Sequence, residues 1–369
     1  MQKRTLGKTG LELSVLGIGG FHLCEIPTAD ATGLLNAYLD EGGTYLETAA
    51  SYGDGISEIR IGRAVSHRRD AYVLATKSGQ RDAAGFAAEL DRSLANLRTD
   101  RVDIVFIHGV QSPAEIDQVL APGGAMEAAL AARQAGKVRF IGVTGHGRPD
   151  GLLAALPRFE FDVLMTGFNY LDRFNYPAVE RDLVPLARER GTALLAMKAL
   201  ADGFLYRSPE PALRYALALP VACVVVGANS PAMLKRDIAI ARSWTAMNGA
   251  EREELFLSAP ELGDYVCRLC GRCREEGFDP QQVFLLEGLY DRQMDDGRVD
   301  DAARYALRER LKGWFDQGEK ARDEYAALAA KVDPDRDYRH LNERCPYGID
   351  VDRKLKLAHA KLSRERYVP

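Results

Sequence analysis

The segment VCRLCGRC, residues 266–273, sets Cys267, Cys270 and Cys273 three residues apart in a chain that has six cysteines in all. Thiolates at i, i+3 and i+6 do not suit the paired knuckles of one tetrahedral zinc, whereas C-x2-C-x2-C is the spacing that wraps the irons of a cubane in successive turns. Ferredoxin-type sequences complete that run with a cysteine followed by proline, and Cys345-Pro346 in CPYGIDV supplies one here. Cys267, Cys270, Cys273 and Cys345 are therefore the expected ligands of a 4Fe-4S cluster, with structural zinc and, after it, four unliganded thiols as the alternatives. Cys24 and Cys223 lie in or beside apolar runs and read as small buried residues.

A second set of reactive side chains lies further upstream. Glu47 stands near the end of one apolar run, Lys77 and His108 close two others, and Tyr52 follows Glu47 in ETAASYGDGISE. Singly these are ordinary, since a lysine at a strand end is commonly solvated and a tyrosine before glycine is commonly a turn residue. Together they can do acid and base chemistry on an oxygen. A phenol has a pKa of about 10 and gives up its proton more readily beside an ammonium, so Lys77 is expected to lower the pKa of Tyr52. Glu47 would keep Lys77 charged and oriented, and His108 would hydrogen-bond the substrate oxygen.

These residues need a frame that brings them to one edge. Eight short apolar or β-branched runs alternate with amphipathic stretches: residues 13–20, 44–49, 71–77, 102–108, 138–144, 161–168, 192–198 and 221–228. Eight βα units close most naturally into an α/β (β/α)8 TIM barrel, in which chemistry belongs at the C-terminal strand ends. A doubly wound open sheet is the runner-up, weakened because no GxGxxG turn follows the first run. Thr28 is expected to cap the helix that ends at Gly42, and Ser230 to cap a helix with Pro231 in its first turn. Beyond about residue 250 the strand pattern stops and charged, helix-favouring segments such as residues 300–332 take over. The expected organisation is a barrel over 1–248 and a helical C-terminal region over 249–369.

With 369 residues, 46% hydrophobic and 28% charged, the chain can bury a full core, and a net charge of −4 offers no field for nucleic acid. No apolar h-region opens the sequence and no run of about 18 apolar residues interrupts it, so neither a signal peptide nor a membrane span is expected. The expected compartment is the cytoplasm, where clustered thiols are ligands rather than disulfides.

RTLGKTGLELSVLGIGGF, ETAASYGDGISEIRIGRAV, VLATKSG, VDIVFIHG and GKVRFIGVTGHG resemble the aldo-keto reductases, NADPH-dependent carbonyl-reducing (β/α)8 barrels, over about residues 1–245. The resemblance implies a catalytic tetrad of Tyr52 as proton donor, Lys77, His108 and, in place of the family's Asp, Glu47. It also marks departures: Gly145, Met165 and Met197 stand where the family holds the nicotinamide with Asn, Gln and an aromatic ring, and the two methionines read equally as core filling. Thr144, His146, Asn169 and Lys198 remain as polar candidates for the cofactor. In the loop after the eighth run, Gly227, Asn229 and the Ser230-capped helix start suit a phosphate, with Lys235 and Arg236 placed to meet a 2′-phosphate; Asp237 replaces a frequent Asn.

A barrel of this type followed by C-x2-C-x2-C and a later CP-x-GI, with MKALADG near the seventh run, resembles a branch of oxidoreductases with a C-terminal iron-sulfur extension. The first functional expectation is thus an oxidoreductase acting on a carbonyl or alcohol of a small molecule, with NADP(H) as hydride partner and an electron-transfer protein as a further partner. The second is a nicotinamide-independent epimerase, dehydratase or lyase using the same tetrad. The third is a non-catalytic redox sensor or binding subunit.

Overall fold

The computed structural model describes residues 1–295, 297, 306, 307, 309 and 317–364. It opens with a small antiparallel hairpin of β1 (Lys3–Thr5) and β2 (Glu12–Ser14). Eight parallel strands then close a barrel: β3 (Leu16–Gly19), β4 (Tyr45–Glu47), β5 (Val73–Ser78), β6 (Val102–Ile107), β7 (Val138–Thr144), β8 (Val163–Gly167), β9 (Ala193–Met197) and β10 (Cys223–Val226). The closing pair is β10 with β3, in register Val224↔Leu16 to Val226↔Ile18.

The run expected as one strand over 13–20 is divided between hairpin and barrel. Val15 makes the handover: its N–H donates to Gln2 O at 3.0 Å, on the hairpin side, and its carbonyl accepts from Val224 N at 2.8 Å, on the barrel side. Thr28 is not the cap of its helix either. The helix Thr28–Asp40 begins after Pro27, and no side chain accepts at that end. Ser230 does cap the helix Pro231–Ser243, accepting from Met233 N at 3.3 Å.

Side chains fill the barrel interior. Tyr45, Ile104, Phe106, Met165, Leu195, Met197, Cys223 and Val225 pack into one apolar cluster with Leu6, Leu11 and Leu13 of the hairpin region. Gly7 lies so close to Ala193, the first residue of β9, that a Cβ there would approach the Ala193 Cβ to 2.9 Å. The hairpin is therefore a plug at the N-terminal end of the barrel, and functional side chains must come from the other end. Gly142 is required by the same filling, since a Cβ would meet the Phe106 ring at 2.4 Å.

The chain divides into two compact units: Met1–Asn169 with Ala178–Leu200 and Ser208–Ala246, and Tyr170–Pro177 with Ala201–Arg207 and Met247–Pro369. The second unit contains the helices Gly249–Ser258, Pro280–Asp291, Gly318–Ala326 and Val351–Ser363, with no strand among its described residues. Most of residues 300–316, within the helix-favouring run 300–332, lies outside the described residues. Buried charge holds this unit together. Lys354 Nζ sits 2.7 Å from Glu287 Oε2, Lys361 Nζ 2.8 Å from Glu287 Oε1 and 2.9 Å from Asp291, and Tyr265 donates to Glu287 Oε1 at 2.7 Å. No helix among the described residues is long and apolar enough to cross a membrane.

Candidate functional site

The ends of β4, β5 and β6 bring Glu47, Lys77 and His108 together with Tyr52. Register places Glu47 beside Gly19 of β3 and Ala75 of β5, and Lys77 beside Phe106 of β6. Glu47 occupies space that only a glycine leaves, for a Cβ on Gly19 would lie 3.0 Å from Glu47 Oε1. Tyr52 is positioned by the turn after β4. Ala50 N donates to Lys77 O at 3.1 Å, Tyr52 N to Ala49 O at 3.1 Å, and the chain then passes through left-handed Gly53, Asp54 and Gly55 into the helix Ile56–Val65.

Lys77 is the hub. Its buried Nζ is paired with the Glu47 carboxylate, donates to Thr48 O at 2.8 Å, and lies 3.1 Å from the Tyr52 hydroxyl. Burial disfavours the ammonium, but Glu47 and Tyr52 outweigh that and raise the Lys77 pKa, so it stays charged. Tyr52 corrects the sequence expectation. Lys77 does pull its pKa down, yet burial pushes it up by more, with Glu47 adding to the rise, and the phenol is held protonated above its ordinary value. The sequence names the ammonium but does not reveal how much water the fold removes. His108 meets the Tyr52 ring edge-on at 6.0 Å, and burial, with Lys77, His146 and Arg81 nearby, lowers its pKa well below that of free imidazole. The site thus holds a neutral phenol, a neutral imidazole and one compensated cation.

Three contributors are not evident from sequence pattern. Phe21 packs edge-on against Tyr52 at 5.3 Å. Arg81 donates to His108 O at 2.9 Å and Gly109 O at 3.3 Å, fixing the turn that carries the imidazole. Thr48 offers only its backbone carbonyl, which no residue type signals.

Of the cofactor candidates, Thr144 is fully buried and its hydroxyl accepts from Gly109 N at 2.9 Å, tying the loops after β6 and β7 together. His146 lies near enough to His108 to depress its pKa. Asn169 donates to the carbonyl of Lys198 at 3.0 Å, and Lys198 is left-handed at φ 59°. Met165 and Met197 belong to the barrel's apolar cluster, and Gly145 has no room for a side chain, since a Cβ would lie 2.7 Å from Val110 O. Gly227 is pressed against the His22 ring, and Asn229 is exposed beside the Ser230 cap. Lys235 is exposed, while Arg236 is bound to fully buried Asp237 at 2.8 Å.

In the C-terminal unit Cys267 and Cys273 are buried, Cys345 half-buried and Cys270 exposed. Leu269, left-handed at φ 55°, donates its N–H to Cys267 Sγ at 3.4 Å. Burial is the main cause that raises the Cys267 and Cys273 pKa values, with Cys273 and Cys270 adding to the first and Asp279, Cys270 and Cys345 to the second. Glu275, beside this loop, is bound to His340 at 2.8 Å and Arg336 at 3.3 Å, which draws the Cys345 segment toward it. As the side chains stand, the described residues contain no group of three or more His, Cys, Asp or Glu that could hold a metal ion. The four expected ligands are neighbours, then, without forming a closed coordination shell.

Residues 15–212, more than half of the chain, match the model of the aldo/keto reductase family. The chain belongs to this family. It is an oxidoreductase of aldo-keto reductase type. L-galactose dehydrogenase of Arabidopsis thaliana is 29% identical over 226 residues, covering 57% of this chain and 69% of that protein. D-threo-aldose 1-dehydrogenase of a Pseudomonas species is 27% identical over 237 residues, covering 55% and 70%. Among solved structures, the holo form of a Bacillus halodurans aldo-keto reductase superposes with a TM-score of 0.61 at 27% identity, over 69% of this chain and 95% of its own. A Klebsiella pneumoniae aldo-keto reductase in complex with NADPH shares the fold at a TM-score of 0.57 and 21% identity, over 69% and 95%.

Proposed function

We propose that the barrel interconverts a carbonyl and an alcohol on a small molecule, with Tyr52 as general acid and base and NADP(H) as hydride partner. The observation that carries this reading is the Lys77 ammonium, charge-matched by Glu47 and 3.1 Å from the Tyr52 hydroxyl. In reduction Tyr52 donates its proton as the substrate oxygen gains charge, and Lys77 stabilises the phenolate left behind. The raised pKa of Tyr52 keeps that proton in place at neutral pH until the transfer. Neutral His108 donates an N–H to the same oxygen. Bound NADP(H) supplies or accepts the hydride.

The chain fits that cofactor better at its phosphate end than at its ring end. The Ser230-capped helix and Lys235 offer a positive dipole end and an exposed cation. At the ring end Gly145, Met165 and Met197 present no amide, leaving His146 and Asn169 as the polar groups. Titration of the purified protein with NADPH tests the assignment, with saturable binding expected and a Tyr52→Phe variant that binds equally but turns over about 10²–10⁴-fold more slowly. No binding at millimolar NADPH overturns it. Met165 and Met197 in the apolar cluster favour a second reading, proton transfer by the same four residues without nicotinamide. Turnover in the absence of added nicotinamide distinguishes it.

For the cysteines we infer a 4Fe-4S cluster on Cys267, Cys270, Cys273 and Cys345. Four neighbouring thiols with an N–H directed at one sulfur supply suitable donors, and a cubane requires a wider set than the sulfur separation of about 3.8 Å implied by Zn–S bonds of 2.3 Å. When bound, the cluster supplies one-electron chemistry and pins the loop to the Cys345 segment. Protein purified without oxygen should contain about four irons and four sulfides per chain, with Cys270→Ser lowering both. One zinc per chain, or no metal, overturns the assignment.

A further inference from the structure

At the plugged end of the barrel, away from Tyr52, a cavity of about 820 Å³ lies between the hairpin, the helix Val184–Glu189 and the segments that lead into β9 and β10. Its position is marked by Gly7 of the hairpin region, Ala193 at the start of β9 and Ala222 just before β10. Val184, Leu194, Pro220 and Val221 give it apolar walls. The volume falls within the range of about 300–1,000 Å³ in which small-molecule sites lie. Arg4, Arg188 and Glu189 are the charged residues of the lining.

Arg4 is held there in one pose. Nη1 donates to Val221 O at 2.7 Å and Nη2 to Leu217 O at 2.8 Å, and the guanidinium lies 4.8 Å over the Trp244 ring. These bonds leave its other N–H groups without an acceptor among the described residues, and no carboxylate there forms an ion pair with it. Burial lowers the Arg4 pKa, and Cys223, the group that opposes this, is a thiol that burial keeps neutral. The half-buried cation is thus oriented and solvent-depleted but lacks a counter-ion, which is costly until an anion joins it. Arg188 and Glu189 are exposed and form the outer edge of the cavity. Glu189 offsets one of the two cations, so the lining suits a monoanion better than a phosphate dianion. A carboxylate also matches the planar fork of a guanidinium through two parallel N–H bonds.

We propose that this cavity is a second ligand site, which takes an aliphatic monocarboxylate with its carboxylate on Arg4 and its chain against Val184, Leu194 and Val221. The site is separate from the chemistry at Tyr52 and does not depend on it. The experiment is calorimetric titration of the full-length protein with sodium octanoate, 1-octanol and inorganic phosphate. Octanoate should bind saturably, with the alcohol and phosphate each about tenfold weaker, since neither combines one negative charge with an apolar body. Arg4→Gln should weaken octanoate about tenfold, while Tyr52→Phe should bind it as the wild type does. No saturation at millimolar octanoate, phosphate binding tighter than octanoate, unchanged affinity in folded Arg4→Gln, or a loss in Tyr52→Phe overturns the proposal. Should Arg4→Gln not fold by circular dichroism, Val184→Trp, which fills the cavity from its half-buried wall, takes its place. Binding about tenfold weaker in that variant supports the site, and equal affinity overturns it.

Discussion

At the barrel rim, Lys77 is buried against a carboxylate placed for it on the neighbouring strand, whereas in the C-terminal unit Arg268 is buried among backbone carbonyls with no carboxylate partner among the described residues. The first arrangement is electrostatically complete before any ligand arrives. The second satisfies hydrogen bonds without balancing charge. On the proposed reading the rim needs only its reactants, while Arg268 is held by hydrogen bonds to the main chain.

The contrast is broken most severely by giving the rim the imbalance of the loop. Lys77→Met leaves Glu47 buried and unpaired, and urea unfolding should show a loss of about 3–5 kcal/mol. The double variant Glu47→Leu with Lys77→Met should recover most of that stability but none of the activity. A recovery no better than the single variant would mean that packing, not charge, is what Lys77 contributes.

A smaller effect tests whether the rim accepts a second cation. The His108 pKa is depressed in the folded protein, so as pH falls below about 6.5 the unfolded chain binds a proton that the folded one refuses. The wild type should therefore lose stability relative to His108→Gln on acidification, by up to about 1.4 kcal/mol per pH unit, until the folded-state pKa is reached. Parallel thermal melts from pH 7 to 5 check this, and parallel slopes for the two proteins would contradict it. Smallest is Ser230→Ala, which removes the cap on the helix Pro231–Ser243 and should cost about 1 kcal/mol in denaturant titration.

The sequence carried much of this directly. Eight apolar runs announced eight barrel strands, and polar residues ending three of them announced Glu47, Lys77 and His108, because a strand that stops being apolar has reached the rim. The β1–β2 plug was not legible, since strands of three residues leave no alternation to read. The direction of the Tyr52 pKa was misread because composition says nothing of desolvation. Met165 and Met197 remained ambiguous until the packing around Phe106 and Leu195 was visible. Arg268 was hidden for a different reason. Its partners are carbonyls, which every residue has, so no spacing rule points to them.

The plug formed by Leu6, Leu11 and Leu13 also has a practical meaning. It makes the barrel a blind vessel with one working mouth, and the stoppered end becomes the natural handle. A bead, surface or fluorophore attached through exposed Lys3 or Lys8 would hold the barrel by its base, at the end away from Tyr52.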